Sequence, residues 1–566
     1  MKIETFPFSK DGCREAGKRN RGVDWPVVYL IHNDKELYVG ETSSFQNRFQ
    51  QHLQNKERKE LTTISFVDDE EFNKSAVLDI EQGLIRLCSA DKKYVLQNKN
   101  AGQSGMHDYF QRDKYESKIP EIWKEMSKKG LTRQSYNDVI NLDLYKYSPY
   151  IALTNEQNDV CYNILNDILE TLQNGSSRTS LIHGGAGTGK TIVAIRVVHT
   201  LANISSMNID DMGEETSDKW KLLIRKWKNY VKKHKMPKIG FVVPMQSLNA
   251  TLSDVFKDAG GDEMKNLIIS PYKVADEKYD IIIVDESHRL KRRKALAHDY
   301  RLFDECCDKL GLDSKTSNQL EWIVKQSRHR VLFYDQAQSI KPCDISPDVF
   351  ANIVKKTICR EEKLTSQMRC LGGENFVKYI NDVFDMKLVE KMSFGKKFQV
   401  KVFDDATAMI QQIKEKNRQL KLCRVVAGFS WKWATKGKSL KKIMDDRLYD
   451  IEIDGCRYIW NTTDKNWIMS ENAINEIGCV HTTQGYDLNF VGLIFGKEIE
   501  WDEKRNVLVI DLKKFYDAKV KEKSTLEEVK SFIINAYKVM MVRGIKGCYL
   551  YACNPGMKKF LKRWFG

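Results

Sequence analysis

Eight consecutive residues, Gly184-Gly185-Ala186-Gly187-Thr188-Gly189-Lys190-Thr191, have the types and spacing needed to hold a triphosphate. Glycines let successive backbone N–H groups curl around phosphate oxygens, the Lys190 ammonium places a point charge at the β and γ phosphates, and the Thr191 hydroxyl can ligate magnesium. Further on, Asp285-Glu286 end the apolar run Tyr279–Val284. Asp285 can hold magnesium, and Glu286 can take a proton from an attacking water. A third set lies near the amino end: Tyr29, Tyr38, Arg48, His52 and Glu81. A tyrosine or histidine can help deprotonate water, an arginine can stabilise a pentavalent phosphate, and a carboxylate can hold a divalent metal.

Each set needs elements to position it. The run Ser180-Leu181-Ile182-His183 predicts a strand ahead of the glycine loop, and Ile192–Val198 predicts a helix after it, the context a phosphate loop requires. From Leu153 onward, strand-type runs at Gly240–Val243, Tyr279–Val284, Arg330–Tyr334, Arg424–Phe429, Val491–Phe495 and Gly547–Ala552 alternate with helical ones. That alternation predicts two parallel, doubly wound sheets. Ahead of them, Val27–Ile31 and Leu37–Val39 predict two short strands, followed by a helix carrying Arg48 and His52 on one face and a second helix, Val77–Leu87, carrying Glu81. The expected fold class is α/β. Residues 1–105 form a small module, 106–150 a helical linker, 151–350 a first lobe and 351–566 a second.

The chain has 566 residues, too many for one core, and 92 Lys+Arg against 77 Asp+Glu give it a net charge of +15. A basic balance favours a polyanionic partner such as DNA or RNA through counterion release. The 13 cysteines include no CxxC pair, which excludes a zinc ribbon and fits a reducing cytoplasm. No apolar run is long enough to cross a bilayer, so no membrane partner is expected. In the stretch 203–238, Trp220, Leu223, Trp227 and Tyr230 recur at helical spacing among lysines and arginines. An amphipathic helix with a solvated basic face is expected there, with base stacking as the alternative. The basic run Arg289-Leu290-Lys291-Arg292-Arg293-Lys294 reads equally as a solvated loop or a phosphate contact. Trp431, Trp433, Trp460 and Trp467 are expected in the core.

The order of motifs after Leu153 resembles the superfamily 1 helicases, and within them the Schlafen group-3-like DNA/RNA helicase domain. Leu153-Thr154-Asn155-Glu156-Gln157 is similar to the adenine-reading motif, with Gln157 as its glutamine. Asp335-Gln336-Ala337-Gln338-Ser339-Ile340 resembles the segment whose glutamine, here Gln338, senses the γ-phosphate. Leu364-Thr365-Ser366-Gln367-Met368-Arg369 and Lys538-Val539-Met540-Met541-Val542-Arg543-Gly544 resemble the two motifs that supply arginine fingers, Arg369 and Arg543. His481-Thr482-Thr483-Gln484-Gly485-Tyr486-Asp487, with Gly485, resembles the motif coupling nucleotide to nucleic acid. The resemblance implies RecA-like lobes and hydrolysis of ATP with Mg2+ in an interlobe cleft.

The first hundred residues resemble the GIY-YIG nucleases. Tyr29 and Tyr38 match the signature tyrosines, Gly40 the glycine, Arg48 the helix arginine, Glu81 the metal ligand and Asn98 the terminal asparagine, with His52 as auxiliary acid/base. The outer signature positions depart from the family, reading Val28-Tyr29-Leu30 and Tyr38-Val39-Gly40. The implied activity is endonucleolytic cleavage with Mg2+ or Mn2+, and similar fusions imply defence against foreign nucleic acid. The rival expectation is an ATP-gated binding switch carrying an inactive nuclease fold.

Overall fold

The structure is a computed structural model that describes residues 2–18, 25–98, 111–207, 209, 217–296, 298–339, 341–368, 370–387, 390–394, 398–463, 467–483, 486–522 and 524–566. The chain forms two compact units, one of residues 1–169, 192–237 and 252–266, the other of residues 170–191, 238–251 and 267–566.

The first unit is built on a sheet ordered β1-β4-β2-β3-β5, from β1 (Lys2–Pro7), β2 (Val27–His32), β3 (Glu36–Thr42), β4 (Thr63–Asp68) and β5 (Val95–Leu96). The pairs are antiparallel except β3 with β5. Side chains of β2 alternate between two cores, because successive residues of a strand point to opposite faces. Val28 and Leu30 join the core of α2 (Lys74–Asp91), while Val27, Tyr29 and Ile31 join Phe45 and Phe49 of α1 (Phe45–Gln54). The segment expected as a helical linker is packed into this module. Ile122, Trp123 and Met126 of α3 (Ile119–Lys128) share the core of α2.

Three further helices lie wholly or mostly in this unit: α4 (Asn155–Asn174), α5 (Lys190–Asn203) and α6 (Asp218–His234). The apolar stripe of α6 is buried at Trp220, Leu223, Ile224 and Trp227. Trp227 Nε1 donates to the Leu165 carbonyl at 3.1 Å, and Trp220 meets Tyr162 edge-on at 5.6 Å. The amphipathic helix expected in the insertion is therefore present and packed.

The second unit holds two parallel sheets. The first, ordered β11-β6-β10-β9-β7-β8, uses β6 (Arg178–Gly184), β7 (Ile239–Val242), β8 (Ile268–Ile269), β9 (Tyr279–Val284), β10 (Ser327–Tyr334) and β11 (Ile358–Leu364). Its edge strand β11 lies beyond residue 350, where the second lobe was expected to begin. The second sheet, ordered β12-β20-β17-β13-β16, uses β12 (Gln399–Val402), β13 (Cys423–Ala427), β16 (Ile477–Gly478), β17 (Leu488–Phe495) and β20 (Gly544–Ala552). Two small hairpins, β14 (Ile451–Ile453) with β15 (Cys456–Tyr458) and β18 (Ile499–Asp502) with β19 (Val507–Ile510), complete the strands. Central strands such as Tyr279–Val284 are nearly all apolar because helices cover both faces of a parallel sheet. Helix α7 (Leu526–Met541) leads into Arg543 and β20. Trp431, Trp460 and Trp467 are buried, as expected of core residues. Among the described residues no helix is long and apolar enough to cross a membrane.

Candidate functional site

Three adjacent strands deliver the nucleotide chemistry at their carboxyl ends, where parallel sheets hold ligands. β6 runs into the glycine loop, β9 into Asp285 and Glu286, and β10, between them, into Asp335 and Gln338. Gly189 stands at φ +83°, a left-handed turn that a side chain would strain, and the chain then enters α5 at Lys190. Lys190 is buried, with Nζ donating to the carbonyls of Gly184 at 2.7 Å and Gly185 at 2.9 Å and lying 3.4 Å from Asp335 Oδ2. Thr188 caps the loop by donating its hydroxyl to the Gly185 carbonyl at 3.0 Å. The loop is also held from the segment before residue 369: Gln367 Nε2 donates to the Ala186 carbonyl at 2.5 Å and the Met368 N–H to the Gly187 carbonyl at 2.8 Å.

The acidic pair faces this loop. Thr191 Oγ1 donates to Asp285 Oδ2 at 2.7 Å, and the other oxygen of that carboxylate is buried without a hydrogen-bond partner. A bare carboxylate oxygen beside a hydroxyl is a hard-oxygen donor set that fits magnesium. Glu286 adopts φ +51°, which turns its Oε2 to within 2.8 Å of His288 Nε2. His288 Nδ1 accepts the Asp335 N–H at 3.3 Å, so the ring joins the end of β9 to the end of β10. Burial opposes a charge on Glu286, but His288, Lys190 and Arg289 outweigh it and hold the carboxyl below its ordinary range. Burial and then the charge of Glu286 push Asp285 upward. The two shifts run in opposite directions, so Glu286 is the stronger acid of the pair.

Gln338 Nε2 donates to Asp335 Oδ2 at 2.6 Å, and its Oε1 accepts from Arg543 Nη2 at 3.4 Å. Arg543 is 2% exposed, so this contact is made away from solvent. Lys190, Asp335, Gln338 and Arg543 thus form one polar chain from the glycine loop to the second sheet. Asp335 opens the segment that carries Gln338 and His288 follows Glu286 by two residues, but their sequence neighbourhood assigns neither a role. Arg369 and Gly485 lie outside the described residues. Gln157, in the first unit, caps α4, its Oε1 accepting the Thr154 N–H at 3.1 Å.

The basic run after the acidic pair is occupied within the fold. Arg289 pairs with Asp344, Lys291 with Asp299, Arg293 with Asp304, and Arg292 and Lys294 approach Glu528 of α7.

The first unit assembles a second cluster. Tyr29 and Tyr38 share one face of the β2–β3 pair, with ring centroids 6.3 Å apart. Gly40 lies opposite Tyr29, and a Cβ there would stand 2.4 Å from the tyrosine oxygen, so glycine alone leaves the ring its place. Tyr29 Oη is 2.6 Å from His52 Nε2, and both residues are buried. Arg58, which no sequence signal marked, hydrogen-bonds His52 Nδ1 and lies 3.7 Å over the Tyr38 ring. That bond directs Nε2 of His52 to Tyr29. Burial and then Tyr38 raise the Tyr29 hydroxyl well above its ordinary value, against the nearby Arg48 guanidinium.

Glu81 comes from α2 and is half-buried. Burial, then the charge of Glu41, pushes its carboxyl up to about 8, against Arg48 and Lys74. Lys74 Nζ donates to both oxygens of Glu41, at 2.9 and 2.8 Å. A carboxyl held up by a second acid is one whose charge a cation would favour, so Glu81 fits a single-carboxylate metal ligand. No group of three or more His, Cys, Asp or Glu side chains forms a metal cage among the described residues. Asn98 brackets Val39 instead, accepting its N–H at 3.0 Å and donating to its carbonyl at 2.8 Å, which fixes the backbone between Tyr38 and Gly40.

Both clusters fall within spans of the chain that family models match. The family model for the Schlafen group 3 DNA/RNA helicase domain matches residues 177–554, and that for the GIY-YIG catalytic domain matches residues 26–94. An uncharacterized protein of Saccharomyces cerevisiae is 25% identical over 420 residues, covering 68% of this chain and 83% of its own. Among solved structures, AMPPCP-bound DnaA from Aquifex aeolicus is 13% identical and covers 53% of this chain and 68% of its own, with a TM-score of 0.19. The chain belongs to the Schlafen group 3 DNA/RNA helicase-domain family and carries a GIY-YIG catalytic domain ahead of that region.

Proposed function

We propose that the chain is an ATP-driven motor on DNA or RNA fused to a metal-dependent phosphodiester endonuclease. The observation that carries this reading is the meeting of Lys190, Asp285, Glu286, Asp335 and Gln338 at three adjacent strand ends, with Arg543 brought to Gln338 from the second sheet. Phosphoryl transfer needs charge arranged around a γ-phosphate more than it needs covalent chemistry. In this reading residues 1–105 are the nuclease, 106–150 its helical extension, 151–350 the first motor lobe and 351–566 the second.

On binding ATP, Lys190 exchanges the loop carbonyls for phosphate oxygens, and the glycine loop supplies its N–H groups. Glu286, kept ionised by His288, takes the proton of the attacking water. Gln338 orients that water or the γ-phosphate, and Arg543, with Arg369, stabilises the charge that develops. Gln157 reads the adenine, and Gly485 belongs to the segment that couples the nucleotide to the strand. Thr191 and Asp285 would hold magnesium at this site and Glu81 a divalent ion at the nuclease, where the metal neutralises phosphate charge.

At the nuclease, the Arg58 bond to Nδ1 leaves the His52 proton on Nε2, which donates to Tyr29 Oη and orients the tyrosine hydroxyl toward the attacking water. Arg48 lies where it can stabilise the pentavalent phosphate, and Tyr38 shapes the same face. Removal of foreign nucleic acid is the role such a fusion would serve in the cytoplasm.

The test is ATP turnover. Lys190→Ala removes the main charge partner of the phosphates and should lower kcat at least ~100-fold, measured as phosphate release with and without nucleic acid. Turnover equal to wild type would refute the motor reading.

A further inference from the structure

Two basic runs stand out in the sequence, and the structure treats them oppositely. The cations between 289 and 294 are spent on Asp344, Asp299, Asp304 and Glu528. On α6 the outward face carries Lys221, Arg225, Lys226, Lys232 and Lys233, and none of them makes an ion pair among the described residues. Helical spacing sets these five on the side opposite Trp220, Leu223, Ile224 and Trp227. Among the helix's own residues only Asp218, in the first turn, brings an acid to that side.

The apolar underside fixes where the charges are held. α6 is tied to α4 by Trp227 on the Leu165 carbonyl, by Trp220 on Tyr162 and by Lys219 with Asp159. α4 meets α5 where the Cys161 thiol donates to the Val193 carbonyl, and α5 reaches the nuclease module through His199 on Tyr150, 5.6 Å between rings. Tyr150 belongs to the same core as α2, which bears Glu81. A continuous packed path therefore joins the basic face to the nuclease within the first unit. Five cations on one face of a helix, without an ion pair among the described residues, repel one another, and a polyanion is the partner that relieves this.

We propose that the outward face of α6 is a nucleic-acid backbone site that serves the nuclease, gripping the strand to be cut through its phosphates without reading its bases. This rests on the nuclease reading for its purpose but not for the binding itself. The alternative occupant, an acidic protein, lacks the regular charge spacing that a stripe of five cations over four helical turns would meet.

The experiment compares the full chain with the variant Lys221→Gln, Arg225→Gln, Lys226→Gln, Lys232→Gln and Lys233→Gln. A charge-matched control carries Gln at the exposed Lys355, Lys356, Lys504, Lys513 and Lys559. Binding to labelled single- and double-stranded DNA and RNA is read in a Glu81→Gln background, so that no strand is cut. The log affinity against log salt slope should become shallower by ~0.9 for each cation that meets duplex phosphate, or ~0.7 on a single strand, in the α6 variant and not in the control. With Glu81 intact, KM for cleavage should rise at least ~10-fold with kcat unchanged and basal ATP turnover untouched. An α6 variant that keeps wild-type affinity and slope overturns the proposal. If the chain cuts no nucleic acid, the nuclease reading fails while the slope still decides whether α6 binds.

Discussion

Lys190, Asp335, Gln338 and Arg543 are far apart in sequence, and each alone would pass for an ordinary surface or salt-bridge residue. Their hydrogen bonds make them one chain, with the Asp335 carboxylate at its middle holding Gln338 at 2.6 Å and Lys190 at 3.4 Å. Nucleotide phosphates would compete with Asp335 for Lys190. At the nuclease the comparable device is Arg58, which occupies one nitrogen of His52 and leaves the other to Tyr29. Tyr29→Phe keeps the ring in its core and removes only the oxygen that meets His52. It should lower cleavage by ~10²–10⁴-fold with ATP turnover unchanged, as followed on an end-labelled oligonucleotide. The candidate reactive residues could be picked from the sequence because motifs place them at fixed offsets. Arg58, His288 and Asp335 each join a near neighbour in sequence to a far one, His52 to Tyr38, Glu286 to Asp335 and Gln338 to Lys190, and the far half of each link has no local pattern to mark it.

Among the elements, the strands legible in the sequence were those buried on both faces. Tyr279–Val284 and its neighbours are continuous apolar runs because helices cover them. The edge strands were missed for the opposite reason: β11 reads Ile-Cys-Arg-Glu-Glu-Lys-Leu with most of its residues open to solvent, and β1 reads Lys-Ile-Glu-Thr-Phe-Pro with Ile3 alone buried. The edges still matter, since β11 extends the sheet that carries the glycine loop. Within that sheet His329 pins β10 to β6, with Nε2 3.0 Å from Ser180 Oγ and Nδ1 2.8 Å from Thr171 Oγ1. Burial, aided by Arg330, lowers this imidazole to about 3 from an ordinary 6.5. Between these values the unfolded chain binds a proton that the native sheet refuses. The stability His329 contributes is therefore complete above pH 6.5 and is lost as pH falls toward 3. Melting temperature followed from pH 8 to pH 5 should fall less steeply in His329→Asn than in wild type, and equal slopes would exclude this group as a source. On α6, Trp227→Ala removes a fully buried indole and its bond to Leu165, and should cost about 3–5 kcal/mol in denaturant unfolding.

At the scale of the whole molecule, the net charge of +15 pointed to a polyanion but not to where it binds. The structure divides that excess, pairing one basic run inside the fold, while five cations of the α6 face make no ion pair among the described residues. The Tyr29–His52 cluster belongs to the first unit and the Lys190–Asp335 chain to the second. Such separation means that each can be disabled alone. The most direct measurement is therefore phosphate release and product formation from labelled DNA and RNA, followed together with magnesium or manganese in wild type, Lys190→Ala and Tyr29→Phe. A motor joined to a nuclease predicts nucleic-acid-stimulated ATP turnover and cleavage in wild type, loss of turnover in Lys190→Ala, and loss of cleavage with full turnover in Tyr29→Phe. Strands that are retained but never cut or displaced, at an ATP turnover indifferent to nucleic acid, would contradict it.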